Sequence, residues 1–408
     1  MNQVIFKENI GNNGKKIAEI ILNSERNLNA LTLEMVDQIQ EQLEKWANPE
    51  VLAIILDGAG DKAFCAGGDV VSVRENIKNR GPEYAETFFA REFILDYNMH
   101  NYKKPIICWG SGIVMGGGMG LMNGCNFRVV TETSRLAMPE TAIGYYPDVG
   151  GSYFLNKVPK PFGLFLGVSG SVINGVDAID LNLADFFLAN SQKGSLIDRL
   201  CPANLGDQET DTIVQNVLSD LQFESEAVKK EHTGKIKPHA DFIRSAMNQN
   251  SLSEAFDTIR SAQMKDTWFE KMQNSLSYGS PLSALIVEKQ LSVSEKMPLW
   301  DIFKLEMILT GQFVRNREFP EKNVKQATII KSAKFLDNPI GTAPGWWIKK
   351  NSVQIILMPG PPSEMKKMWQ EQIRPSLMKK SNAVLVKKTI KTSTLGESNI
   401  NQMVEKFL

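Results

Sequence analysis

Glu140 and Asp148 lie in one short stretch, Ala137 to Gly151, that is otherwise mostly apolar, small or glycine. Ionised carboxylates are costly in such a setting unless they are paired, hydrogen-bonded or at work chemically. The two acids are therefore the first candidates for catalysis. A carboxylate can move a proton, activate water or attack a carbonyl directly.

Two glycine stretches precede them. Lys62-Ala63-Phe64-Cys65-Ala66-Gly67-Gly68-Asp69 follows a predicted strand, and Gly116-Gly117-Gly118-Met119-Gly120-Leu121 follows another. Glycines at a strand end let the backbone turn sharply and expose amides that can face an oxyanion, although a plain tight turn is the commoner meaning of Gly-Gly. The second stretch invites a dinucleotide-binding reading, but that pattern wants a small residue where Leu121 stands. His100, His232 and His239 lie beside no Gly-x-Ser-x-Gly or comparable nucleophile motif, so a histidine-assisted nucleophile is disfavoured. Carboxylates beside glycine-built amides remain, the combination that acyl or enolate chemistry needs. Taken singly, Glu140 reads as a helix-cap carboxylate and Asp148 as a turn residue after Pro147. Together, next to two glycine motifs, they reverse that default.

These residues need elements to hold them. Val4–Phe6 and Ile17–Leu22 read as strands around a Gly11–Gly14 turn, and Thr32–Trp46 as a helix burying Met35, Val36, Ile39, Leu43 and Trp46. Val51–Leu56 and Pro105–Trp109 read as buried strands with a helix over Tyr84–Asn98 between them, which favours an α/β architecture. Gly151–Gly170 is helical in part, and Thr210–Leu221, Ala240–Lys271 and a helix opening at Ser280-Pro281 make the following region mostly helical.

A chain of 408 residues can hold more than one domain, and its 46 basic and 46 acidic side chains cancel. Neither a nucleic-acid nor an anionic-membrane partner is suggested by bulk charge. Cys65, Cys108, Cys125 and Cys201 show no zinc or disulfide spacing and suit buried free thiols in a reducing compartment. With no signal-like N-terminus and no apolar run long enough to span a bilayer, the expectation is a soluble cytoplasmic protein.

Ala63–Asp69, Gly116–Gly118 and Ala137–Gly151, in that order, resemble the crotonase (enoyl-CoA hydratase/isomerase) superfamily. The form Met-Pro-Glu-Thr-x-Ile-Gly-x-x-Pro-Asp-Val-Gly-Gly is similar to its 3-hydroxyisobutyryl-CoA hydrolase branch. The resemblance covers about residues 1–321 and implies a crotonase-like spiral of ββα repeats with a helical C-terminal region. It implies an acyl-CoA substrate and no separate cofactor, CoA being part of the substrate, with a trimer or hexamer as the assembly common in the superfamily. Gly68 and Gly117 would supply the oxyanion hole, Glu140 the catalytic carboxylate and Asp148 its partner acid. Glu92, Gly67 and Asp69 would contact the substrate. Hydratases of this superfamily use a second glutamate, and the matching position here is Gly120; hydrolysis is therefore preferred, with a hydratase or isomerase as the alternative.

Beyond Phe319-Pro320-Glu321 the branch's usual closing segment is replaced by Lys322-Asn323-Val324-Lys325-Gln326. Asn338–Gly345 and Leu357–Met365 instead resemble the competence/damage-inducible protein family, whose domain is similar to molybdopterin-binding folds. This implies an incomplete α/β remnant over 322–408, with Val353–Met358 a strand and Ser363 the cap of a helix through Trp369. The expected organisation is a core at 1–200, a truncated helical region at 201–321 and this partial segment. A fusion near Glu321 would expose apolar surface and lower stability. It also leaves a non-catalytic fusion product with a nucleotide- or pterin-like tail as a further alternative.

Overall fold

The computed structural model describes residues 2–11, 14–201, 209–315, 333–336, 345–350, 353–358 and 362–375. The chain divides into two compact units, Met1–Phe319 and Pro320–Leu408.

The first unit begins with β1 (Val4–Ile10), β2 (Lys16–Leu22), α1 (Leu33–Lys45), β3 (Val51–Gly58), β4 (Ala63–Cys65), α2 (Val70–Arg80) and α3 (Glu83–His100). Next come β5 (Ile106–Gly110), β6 (Ile113–Met115), α4 (Gly117–Asn123), β7 (Phe127–Val130) and β8 (Arg135–Ala137). A 3-10 turn at Glu140–Ile143 precedes α5 (Gly151–Lys157), α6 (Phe162–Ser169), β9 (Ile173–Asn174), α7 (Gly175–Asp180) and β10 (Phe186–Phe187). Two sheets result. A six-stranded sheet runs β1-β2-β3-β5-β7-β10, antiparallel only at β1/β2, and a four-stranded sheet runs β4-β6-β8-β9. In the small sheet β4, β6 and β8 run parallel, so the segments that leave these three do so at the same end, while β9 is antiparallel to β8.

Local signals explain the boundaries. The Thr32 hydroxyl accepts from the Met35 amide and starts α1, which buries Met35, Val36, Ile39 and Leu43 against the sheet. The large sheet is covered on both faces, as parallel strands require. One core holds Ile54, Leu56 and Cys108 with the α1 stripe; the other holds Ala53, Ile55, Ile107 and Trp109 under α8 (Lys193–Leu200) and α9 (Thr210–Glu224). Strand alternation accounts for the split, since successive side chains point to opposite faces.

Further helices follow: α10 (Glu226–Lys230), α11 (Ala240–Met247), α12 (Leu252–Ser261), α13 (Thr267–Tyr278), α14 (Pro281–Ser294) and α15 (Leu299–Arg315). Pro281 takes the first position of α14, and the Ser280 hydroxyl accepts from the Ser283 amide. None of the described helices is long and apolar enough to cross a membrane.

In the second unit β11 (Ala333–Leu336), β12 (Gly345–Lys350) and β13 (Val353–Leu357) pair antiparallel, followed by α16 (Pro362–Met368). Leu336, Met368 and Ile373 form a small buried cluster. Ser363 is expected before the first turn, but α16 opens one residue earlier, at Pro362, a position that suits proline. Residues 338–344 and 359–361, which carry most of the two tail motifs, lie outside the described residues.

Candidate active site

Three neighbouring parallel strands carry the three sequence motifs. In the small sheet β4 pairs with β6 and β6 with β8, so Cys65, Val114–Met115 and Ala137 end side by side. Gly67-Gly68, Gly116-Gly117 and Glu140 leave from those ends, where open α/β sheets commonly place their ligands.

The backbone turns sharply at two glycines, Gly67 at φ +105° and Gly116 at φ +51°, angles that side-chain-bearing residues rarely adopt. The turns bring two chains together: a Cβ on Gly117 would lie 3.4 Å from the Gly68 amide nitrogen, and one on Gly67 would lie 3.4 Å from that of Gly117. Among the described residues no hydrogen bond engages either the Gly68 or the Gly117 amide. Gly117 is also the first residue of α4, where amide groups have no partner inside the helix. Two adjacent free donors of this kind suit a developing oxyanion.

The carboxylates come to the same place. Glu140 Oε1 would stand 3.1 Å from a Cβ on Gly116, and Glu92 Oε1, from α3, would collide with a Cβ on Gly117. Both acids are buried, and Glu140 Oε2 and Glu92 Oε1 have no hydrogen-bond partner among the described residues. Burial pushes Glu140 up to about 8, helped by the Glu92 charge and opposed by its own backbone amide. Burial likewise pushes Glu92 up to about 8.

Asp148 is buried on the loop that follows, and its carboxyl is held well above the usual range by burial first and then by Glu92, Glu140 and Glu306. The Tyr145 hydroxyl pulls the other way. Asp69 is placed otherwise. Its carboxylate caps α2, accepting from the Ser72 amide at 3.0 Å and the Ser72 hydroxyl at 2.6 Å.

Sequence reasoning missed three groups. Asp96, one turn after Glu92 on α3, is fully buried with neither oxygen partnered among the described residues, and burial with Glu92, Asp148 and Glu306 nearby raises it well above the usual range. Its Oδ2 would lie 2.8 Å from a Cβ on Gly120, and Val149 Cβ 2.6 Å from it. Gly120 is thus a glycine because its space is taken. Tyr145 and Glu306 are the others; the i,i+4 spacing of Glu92 and Asp96 was the one signal in the sequence.

The fold is a crotonase-like α/β fold with a helical C-terminal region. The chain belongs to the enoyl-CoA hydratase/isomerase family, whose model matches residues 17–335. That match runs past residue 321, where the sequence motifs place a junction. Among curated relatives, the mitochondrial 3-hydroxyisobutyryl-CoA hydrolase of Xenopus tropicalis is 35% identical over 321 residues, 78% of this chain and 81% of the relative. The human protein of that name is 34% identical over 303 residues, 74% of this chain and 77% of its own. A carnitinyl-CoA dehydratase from Mycobacterium thermoresistibile superposes with a TM-score of 0.67 at 26% identity, covering 80% of this chain and 90% of that one. An enoyl-CoA hydratase from Rhodobacter sphaeroides gives 0.66 at 26% identity over 81% and 90%.

Proposed function

We propose that the protein hydrolyses the thioester of a short 3-hydroxyacyl-CoA, of the 3-hydroxyisobutyryl-CoA type. The observation that carries the reading is Glu140 facing two free amides while the position on the glycine stretch that a hydratase fills with glutamate is Gly120. The amides of Gly68 and Gly117 take the thioester oxygen as it becomes an oxyanion. Ionised Glu140 either attacks the carbonyl carbon or takes a proton from the attacking water. Asp148, whose carboxyl burial and then its acidic neighbours hold well above the usual range, orients the 3-hydroxyl or gives its proton to the departing CoA sulfur. Water adds and the C–S bond breaks, leaving a hydroxy acid and free CoA thiol. Glu92 and Gly67 contact the acyl part; Asp69 shapes the rim through the helix it caps.

Thiol release across a small panel of acyl-CoAs tests this. Glu140→Gln is expected to lower kcat by roughly 10³-fold or more while acyl-CoA binding changes little. An unaltered rate in that variant overturns the assignment.

A second reading, hydration of an enoyl-CoA, is favoured by one observation: Asp96 brings a carboxyl group from α3 to the side of Gly120. Crotonyl-CoA in the same panel decides between them, hydration without thiol release selecting the second reading.

The competence/damage-inducible likeness of 322–408, a fusion near Glu321 and a lowered stability rest on the sequence motifs. A thermal shift with CoA set against one with a nucleotide tests the tail, and a sharp cooperative melt with full activity refutes the instability. A trimer or hexamer rests on the superfamily resemblance. A cytoplasmic location rests on the free thiols, whereas the named vertebrate relatives are mitochondrial.

A further inference from the structure

The buried stripe of α15 is Ile302, Phe303, Glu306 and Thr310, so two polar side chains sit where apolar ones are expected. Glu306 is fully buried, a costly place for a carboxylate without partners. Both its oxygens are used: Oε2 accepts from the Gly150 amide at 2.8 Å and Oε1 from the Ser152 amide at 2.9 Å. Thr310 Oγ1 bonds to the Tyr145 hydroxyl at 2.8 Å and the Tyr146 hydroxyl at 2.9 Å, and Tyr146 also donates to the Glu306 carbonyl. One helix face therefore grips the chain on both sides of Asp148.

The segment between the grips has a tie of its own, from the Gly151 amide to the Asp148 carbonyl at 2.6 Å, and still carries strain. Val149, directly after Asp148, has φ +52°, an unfavourable angle for a β-branched residue that persists only where surroundings enforce it. Gln290 of α14 adds a hydrogen bond to the Pro147 carbonyl at 2.6 Å, but the residue after the strained one is held by Glu306.

We propose that Glu306 is a positioning residue: through the Gly150 and Ser152 amides it holds the strained turn that aims Asp148, without touching the substrate. The role assigned to Asp148 rests on the thioester-hydrolase reading; the clamp on its loop does not. The charged and titratable groups facing Asp148 are Glu92 and Asp96 from α3, Glu140 from the 3-10 turn, Tyr145 and Tyr146 from its own loop, and Glu306 from α15.

Glu306→Gln tests it, because the amide NH₂ of glutamine faces a backbone N–H, donor against donor, and the charge is lost. Hydrogen exchange of the full chain is expected to become ~10-fold faster over residues 145–152 with β5 and α1 unchanged. With 3-hydroxyisobutyryl-CoA, kcat is expected to fall ~10- to 100-fold with KM within ~3-fold of wild type. The apparent pKa assigned to Asp148 in the pH–rate profile moves down, since a neighbouring negative charge has gone. Unchanged exchange over 145–152 overturns the clamp, whatever the activity. A lost kcat with an unmoved pH profile marks a merely structural role and overturns the positioning of Asp148. Wild-type protein that releases no thiol refutes the proposed function, and exchange alone then decides the clamp. If Glu306→Gln does not fold, Thr310→Val keeps the carboxylate and removes the shared hydroxyl; faster exchange at Tyr145–Tyr146 is expected, and unchanged exchange there overturns the proposal.

Discussion

The amide wall of the site comes from neighbours, whereas the carboxylate wall is gathered from across the unit. Gly68 and Gly117 leave adjacent parallel strands, β4 and β6, and their place follows from one strand pairing and two positive-φ glycines. The acids arrive from α3, from the 3-10 turn after β8, from the loop before α5 and from α15, residue 92 through residue 306. One wall is backbone and carries no titratable group. The other is a cluster of acids that burial pushes toward their neutral forms, so its chemistry is set by packing.

The largest effect expected from separating the walls, beyond the loss at Glu140→Gln, is at Gly117→Ala. A Cβ there runs into Glu92 Oε1 and stands 3.4 Å from the Gly68 amide nitrogen, so kcat for thiol release should fall ~10²- to 10³-fold. A near-wild-type rate would mean that the amide wall does not hold the oxyanion.

The pH profile separates the walls without mutation. With Glu140 held up to about 8, kcat/KM should rise about tenfold per pH unit below that value and fall again where Asp148 loses its proton. A profile flat from pH 6 to 9 would show that no acid of this wall needs to ionise.

Smaller is the effect at Gly120→Ala, where the new Cβ meets Val149 Cβ at 2.6 Å and Asp96 Oδ2 at 2.8 Å. Overpacking of this kind costs about 1–3 kcal/mol, and the melting temperature should drop by several degrees. For the same reason Gly120→Glu should not create a hydratase; hydration of crotonyl-CoA by that variant would show the position to be roomier than its neighbours indicate.

Opposite in sign is a gain in stability. Glu140 has a folded-state pKa of about 8 against an ordinary value of 4.5, so its protonated form favours folding. Stability linked to it is full below pH 4.5 and is lost as pH rises toward 8. Glu140→Gln removes that loss, and its melting temperature should match wild type near pH 4.5 and exceed it by a margin that widens as pH rises to 8.

Much of the α/β framework was legible because its signals are local. The Thr32–Trp46 stripe and the Ser280-Pro281 start need only near neighbours to be recognised, and both helices form there. Glu140, Asp148 and the two glycine stretches stood out for the same reason, as unusual residues in apolar surroundings. Glu306 did not. In sequence it sits among Asp301, Lys304 and Met307 on a helix whose charges look solvated, and nothing local says that it faces inward. Asp69 shows the reverse, an acid next to a glycine pair whose carboxylate serves the helix behind it.

What the sequence by itself determined is the framework of β1, β2, α1, β3, α3 and β5, the two glycine stretches and the identity of the acids at 140 and 148. These depend on residue type and short-range spacing, which a chain carries whether or not it has folded. Only the tertiary structure decided that Asp96 fills the space beside Gly120, that Glu306 grips the Asp148 loop and that Val149 is held in a strained turn. Burial and charge proximity belong to the packed assembly. A carboxylate's pKa and its partners come from whatever distant segments fold against it, and no window of sequence contains them.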